Sequence, residues 1–355
     1  MKIQCVKEKI KNAVSFADRI TNKNLSLPIL GSVLLSTEKG ILKIRATNLD
    51  LGVEFGIPVK TEKEGVIAVP GGVLNNFLSN ILDDVVFFEA KEGNLFISTK
   101  NNKAVIKSYQ AEDFPTLPVI TQSNSFKIPT KKLIDGFKSV WYSASISDIK
   151  PEIACVCLCT NGDDVVFTAT DSFRLAEKKI VFDEKQEIPL LLIPYKNAIE
   201  IAKIIEYTPG EVEVFYNKNQ IAFKNESFYI TSRLVDGVFP DYKQIIPKSF
   251  TTEVVVLKHD LINSLKITNL FSDKLNQVMF TVNPAKKIFE ITSKNIDVGE
   301  NNTEIYAALS GEPLKLQFNQ KYITDCFQSI PTESVVLQMS GEGKPLVVKG
   351  VGDPS

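Results

Sequence analysis

Leu42-Lys43-Ile44-Arg45-Ala46-Thr47-Asn48-Leu49-Asp50 reads as a strand running into a polar turn. Apolar and polar residues alternate, as in a half-buried strand, before Thr, Asn and Asp break the pattern. Val165-Val166-Phe167-Thr168-Ala169-Thr170-Asp171-Ser172-Phe173 has the same shape, and so does Ile288-Phe289-Glu290-Ile291-Thr292-Ser293-Lys294-Asn295-Ile296-Asp297. Asn48 and Asp171 are 123 positions apart, and Asp171 and Asn295 are 124 apart. Two further markers keep this period. Val69-Pro70, Ile193-Pro194 and Phe318-Asn319 each open an amphipathic helix, and Glu112-Asp113-Phe114-Pro115 returns as Val235-Asp236-Gly237-Val238-Phe239-Pro240-Asp241-Tyr242. A fixed long period means one supersecondary unit copied along the chain.

Each copy carries two helical stripes with apolar residues at i, i+3, i+4 and i+7. In the first copy these are Ile10, Val14 and Ala17, then Val73, Leu74, Phe77, Leu78, Ile81 and Leu82. The second has Leu133, Ile134, Phe137, Val140, Trp141 and Ala144, then Ala198, Ile201, Ala202 and Ile205. The third has Leu261, Ile262 and Leu265, then Tyr322, Ile323, Cys326, Phe327 and Ile330. The intervening chain alternates with β-branched residues, broken by turns such as Glu92-Gly93-Asn94 and Pro209-Gly210. The expected fold is therefore α+β: three tandem copies of a two-helix plus antiparallel-sheet domain, over 1–120, 121–248 and 249–355.

The third copy is expected to be incomplete. Three full units need about 372 residues at this period, and the sequence has 355. Pro345-Leu346-Val347-Val348-Lys349 matches the next-to-last strand of the other copies, and the closing strand has no counterpart before Ser355.

Chemistry is not indicated. The one His, His259, sits at a helix start, where a polar residue is ordinary. Cys155, Cys157 and Cys159 are spaced by two on a strand and face one way, which suits core packing better than metal binding. Gly341-Glu342-Gly343-Lys344 lacks the spacing and following Ser/Thr of a phosphate loop and reads as a hairpin turn. No metal or cofactor is expected. Five Cys, an odd number, make no disulfide framework, and neither a basic-then-apolar leader nor a membrane-length apolar run is present; a cytoplasmic setting is expected.

Net charge is only −1, but its placement is uneven. Windows 7–23, 71–82, 129–146, 195–206, 258–275 and 319–330 hold 14 Lys and Arg against 8 Asp and Glu, a net of +6, leaving −7 elsewhere. Lys7, Lys11, Lys131, Lys138, Lys196 and Lys203 lie off the apolar stripes. A solvated helix face explains any one of them. The persistent sign suggests a polyanion contacted without sequence reading.

Leu27-Pro28-Ile29-Leu30-Gly31, Ala46-Thr47-Asn48-Leu49-Asp50, Ala111-Glu112-Asp113-Phe114-Pro115, Thr170-Asp171-Ser172-Phe173-Arg174-Leu175-Ala176 and Leu234 to Tyr242 together resemble the β sliding clamp family of bacterial DNA polymerase III. The resemblance implies a DNA clamp fold and a head-to-tail homodimer closed into a ring, with helices lining the hole. Such a ring encircles double-stranded DNA without reading its sequence and tethers the polymerase for processive synthesis, without catalysis of its own. It implies as partners the polymerase III catalytic subunit, the clamp loader and other proteins carrying a short, partly hydrophobic clamp-binding peptide. The matching pocket positions are Ile153, Thr170, Ser172, Phe173, Arg174, Leu175, Pro240, Gln244 and Ile245. Phe173 stands where the family often has His, and Gln244 where Arg occurs. The subunit contact would involve Ala104 and Ile106 on one side and Leu270, Phe271 and Leu275 on the other. Lys23 and Lys150 fall in loops that touch DNA in the family. The alternatives are a three-domain protein-binding scaffold that never surrounds DNA, and an enzyme with an unrecognised site.

Overall fold

The computed structural model describes residues 1–21, 27–120, 124–181 and 187–352. Among them are six helices, two per copy: α1 (Lys7–Ile20), α2 (Gly71–Asn80), α3 (Thr130–Val140), α4 (Tyr195–Ile205), α5 (Lys258–Asn269) and α6 (Gln320–Cys326). By its contacts the chain divides into two compact units: Met1–Ile134 with Leu191–Asp236, and Asp135–Leu190 with Gly237–Ser355.

The first unit is built on two antiparallel sheets. One runs Lys60–Lys63, Lys2–Val6, Val85–Lys91, Asn94–Ser98, Lys103–Lys107. The other has eight strands: Asn124–Pro129, Glu211–Tyr216, Gln220–Lys224, Phe228–Arg233, Leu51–Pro58, Ile41–Thr47, Ser32–Glu38, Gly65–Pro70. Its first four strands come from the second copy and its last four from the first. They join where Phe228 lies opposite Phe55 and Ile230 opposite Val53; such apolar cross-strand pairs stabilise a ladder. This join is why compactness does not follow the repeat.

The helices bury the stripes that their spacing sets. Ile10, Val14 and Ala17 of α1 and Leu74 and Leu78 of α2 are buried. Two stripe residues are corrected. Val73 is exposed, one residue off the Leu74 face, and Leu82 is exposed because α2 ends at Asn80 and no longer carries it.

In the second unit Cys155–Asn161, Asp164–Thr170 and Leu175–Val181 form an antiparallel run with Leu175–Val181 at its edge. Phe137 of α3 meets Phe167 edge-on with centroids 5.3 Å apart. Gly136 allows the close approach: a Cβ there would lie 2.4 Å from the Phe167 ring. The third copy supplies two four-stranded sheets: Ala307–Gly311, Thr252–Leu257, Ser334–Met339, Val347–Gly350, and Gly299–Glu304, Ile288–Asn295, Gln277–Asn283, Leu314–Asn319. Their core includes Phe280, Phe289, Leu261, Leu265 and Ile323. Among the described residues the first of these sheets ends at Val347–Gly350, without the further strand that Lys103–Lys107 supplies in the first copy. Gly341 and Gly343, at φ 100° and 72°, turn the hairpin before it.

Candidate functional site

The turn after each copy's marker strand is built from its own side chains. Thr170 Oγ1 donates to the Arg174 carbonyl at 2.8 Å and accepts the Ser172 N–H at 3.2 Å. Asp171 Oδ1 accepts the N–H groups of Phe173 and Arg174, both at 2.9 Å. These short polar side chains replace backbone partners, and Ser172 takes φ 77°. The result lifts Phe173 into solvent at 82% exposure.

Arg174 turns the other way. Its Nε meets Asp171 Oδ2 at 3.0 Å and its Nη1 meets Asp325 Oδ2 of α6 at 2.6 Å. The guanidinium carbon lies 4.7 Å from the Tyr322 ring centroid and 5.8 Å from that of Tyr142. The Tyr142 hydroxyl is 3.4 Å from Ser329 Oγ, and burial pushes its phenol up to about 12. Only 15% of the Arg174 side chain is exposed.

Residues 237–248 are tied to the same sheet by Tyr242. Thr168 Oγ1 donates to the Tyr242 hydroxyl at 3.2 Å, and that hydroxyl donates to Glu177 Oε2 at 2.5 Å. Burial, then the Glu177 hydrogen bond, raise the Tyr242 phenol above its usual range. Phe239 packs edge-on against Tyr242 at 6.2 Å. Thr168 lies opposite both Cys157 and Glu177 in the ladders, so Tyr242 lies over the face that carries the cysteines. Cys155 and Cys157 are buried as expected, whereas Cys159 is only partly so. The Cys157 hydrogen bond, with Lys243 nearby, brings Cys159 down to about 7.

Tyr242 thereby anchors Pro240, which is exposed, Gln244, which donates to Asp241 at 2.5 Å, and Ile245, also exposed. Ile153 is buried and its carbonyl accepts the Ser145 N–H. The structure thus links Thr170, Ser172, Phe173, Arg174 and Leu175 through one turn, and Pro240, Gln244 and Ile245 through one tyrosine. Sequence reasoning missed Tyr142, Glu177, Tyr242, Tyr322 and Asp325. The repeat held a signal for two of them: Tyr322 and Asp325 stand 125 positions after Asn197 and Glu200.

Twelve Lys and Arg against six Asp and Glu fall in the six helices, keeping the net at +6. Lys131 and Lys150 are exposed, Lys138 is half-buried, and Lys196 Nζ sits 5.8 Å from the Tyr195 ring. Three of the named lysines meet carboxylates: Lys7 and Lys11 with Glu8 at 3.2 and 3.8 Å, and Lys203 with Glu200 at 3.0 Å. Lys7 is a correction. Its side chain, 13% exposed, folds back to donate to the Ile81 carbonyl at 3.4 Å rather than standing out from α1. Lys23 lies outside the described residues.

Of the contact residues, Leu270 and Leu275 are exposed and Ala104 is partly buried. The Phe271 ring lies against Gly299. Ile106 is a further correction: it is 5% exposed, turned into the first unit's core, so only its backbone is presented at the edge of its sheet. His259 is exposed beside Asp260 at 2.9 Å. Among the described residues no group of three or more His, Cys, Asp or Glu could hold a metal, and no helix is long and apolar enough to cross a membrane.

Three family models match in succession: the N-terminal domain of the DNA polymerase III beta subunit over residues 1–118, its central domain over 127–241 and its C-terminal domain over 243–355. The beta sliding clamp of Synechococcus elongatus is 24% identical over 362 residues, covering 99% of this chain and 96% of the relative. That of Staphylococcus epidermidis is 22% identical over 340 residues, covering 93% and 90%. The DNA polymerase III beta subunit of Thermotoga maritima superimposes with TM-score 0.94 at 24% identity, over 100% of this chain and 96% of that one. The sliding clamp of Bacillus subtilis gives TM-score 0.93 at 23% identity, over 99% and 96%. With three consecutive domain models spanning it, the chain belongs to the DNA polymerase III beta subunit family.

Proposed function

We propose that this protein is a sliding clamp: two copies join head to tail into a ring around duplex DNA and tether DNA polymerase III during synthesis. The observation that carries the reading is the succession of all three beta-subunit domains, on a chain whose helices are net positive and whose remainder is net negative. Helix lysines that meet phosphates supply attraction without sequence preference. A closed ring keeps the DNA by topology, so that attraction can stay weak and sliding fast. The proposed DNA-facing set is Lys11, Lys23, Lys131, Lys138, Lys150, Lys196 and Lys203, with Lys7 turned back onto Ile81. Lys131 and Lys150 matter most within it, because they are exposed while Lys11 and Lys203 are already paired with carboxylates.

The repeat supports the dimer. Within the first unit the last strand of the second copy, Phe228–Arg233, pairs with Leu51–Pro58 of the first. The equivalents elsewhere are Lys103–Lys107 and Gly299–Glu304, and both are sheet edges. Pairing them between two copies would rebuild the same join, with Lys103 on the same face as Glu300 and Glu304 and diagonal to both. Leu270, Phe271 and Leu275 would flank it beside Ala104 and Ile106. The partner pocket would take an apolar peptide of the polymerase, the clamp loader or another client between Phe173, Leu175 and Ile245, with Ile153, Thr170, Ser172, Arg174, Pro240 and Gln244 around it. The protein acts without catalysis, in the cytoplasm, as three domains bounded at 1–120, 121–248 and 249–355.

The test is topological. Loaded on a nicked circular plasmid by its clamp loader, the protein should stay bound through gel filtration in high salt and be lost when the plasmid is linearised. Equal retention on circular and linear DNA would instead establish a scaffold that does not encircle DNA.

A further inference from the structure

The partner pocket is attributed above to the second copy and the segment after it. Its most tightly held member is fixed from elsewhere. The Arg174 guanidinium has one edge on Asp171 and another on Asp325, and a face on Tyr322. Asp325 and Tyr322 belong to α6, in the third copy. Asp171 is at the same time the residue that holds the N–H groups of Phe173 and Arg174. One chain of contacts therefore runs from α6 through Arg174 and Asp171 to the backbone that presents Phe173 and Leu175.

We propose that Asp325 is a positioning residue for the partner pocket, acting through Arg174 as a latch between the second and third copies. This rests on the pocket reading given above. Arginine suits the role because its planar fork can hold two carboxylates while an aromatic ring covers a face. With Asp325 removed, Arg174 loses its shortest contact, and Asp171 then has to hold both the guanidinium and the turn. The latch also implies that a partner meets an arginine already engaged, so that selection at the pocket rests on apolar fit to Phe173 and Ile245 more than on a partner carboxylate.

The experiment uses the full-length protein and the purified DNA polymerase III catalytic subunit of the same organism as probe. Asp325→Ala should weaken binding about tenfold, which is about 1.4 kcal/mol, and Asp325→Glu should restore most of it. Arg174→Ala combined with Asp325→Ala should bind no more weakly than Arg174→Ala alone, because both changes break one contact. Amide hydrogen exchange at Phe173 and Arg174 should quicken in Asp325→Ala, and Asp325→Asn, which keeps the shape of the side chain, repeats the measurement if the alanine variant folds poorly. Unchanged affinity and exchange in a folded Asp325 variant, or fully additive losses in the double variant, would overturn the latch. Failure of the unmutated protein to bind the catalytic subunit would overturn the pocket reading and this role with it, and the exchange data would then still show whether Asp325 holds the turn.

Discussion

The join between the first and second copies and the join between the second and third use the same slots for different ends. In the first, Arg19 of α1 makes a two-pronged contact with Glu200 of α4 at 2.9 and 3.0 Å, and the Asn197 amide donates to Ser232 at 2.9 Å. In the second, the same offsets bring Tyr142, Asp325 and Tyr322 together around Arg174. The turn at Asn48 matches the turn at Asp171 bond for bond: Asn48 Oδ1 accepts the N–H groups of Asp50 and Leu51 at 3.0 and 2.8 Å. The difference is what covers it. A strand, Phe228–Arg233, closes over Leu51–Pro58, with the Arg233 N–H on the Asp50 carbonyl at 2.8 Å. Among the described residues Leu175–Val181, the counterpart of Leu51–Pro58, is an edge. At the first join a strand covers the exit of the turn, and at the second the exit is held from the side by Asp325 and Tyr322 through Arg174.

The largest effect should come from breaking the seal. Phe228–Arg233 has a strand on both sides, so each of its N–H groups has a partner on one side or the other. Ile230→Pro removes one and should cost about 1–3 kcal/mol for the orphaned carbonyl alone, with the loss of the buried Ile230 side chain added to it. Along Leu175–Val181, whose second side no strand covers among the described residues, proline at alternate positions should be better tolerated. Urea unfolding of both series checks this. Equal losses at every position would mean that a strand covers the second join as well.

Next in size are the two arginines. Arg174 is largely covered and holds two carboxylates, whereas Arg19 is about half exposed. Arg19→Ala should cost less than about 1 kcal/mol, as exposed ion pairs do. Arg174→Ala should cost about 1–3 kcal/mol, because its partners lose a partly buried donor. It should also weaken binding of the polymerase catalytic subunit, which Arg19→Ala should leave unchanged. A binding loss in both variants would mean that the two joins do not differ in function.

How much of this was written in the sequence depends on the range of the interaction. The strand-and-turn marker at 42–50, 165–173 and 288–297 is local and gave the repeat, and the equally local apolar stripes gave the six helices and with them the α+β class. The turn at Thr170 to Leu175 was equally legible, since Thr, Asp and Ser bond to their own backbone. The burial of Lys7 and Ile106 was not, because period alone cannot say which carbonyl a lysine reaches or whether an edge strand turns a residue inward. The Arg174 latch was the least legible. It spans 151 positions to Asp325, and only the offset from Glu200 pointed to it.

The smallest effect tests the identity of the two turns themselves. Leu49 and Ser172 occupy the same left-handed conformation, at φ 79° and 77°. That conformation costs an ordinary residue about 1–2 kcal/mol, and glycine nothing. Glycine also raises the entropy of the unfolded chain, which offsets part of the gain. Leu49 is branched and about half exposed, so little burial is lost with it. Leu49→Gly should therefore raise the melting midpoint by about 1–2 °C. Ser172→Gly should change it less, since a short side chain tolerates the turn better, yet it should loosen Phe173 and weaken partner binding by a few-fold, on the order of 1 kcal/mol or less. Thermal melts and binding of the catalytic subunit, run on both variants, separate the two outcomes. Weaker binding from Leu49→Gly, with none from Ser172→Gly, would show that the presenting turn is the first and not the second.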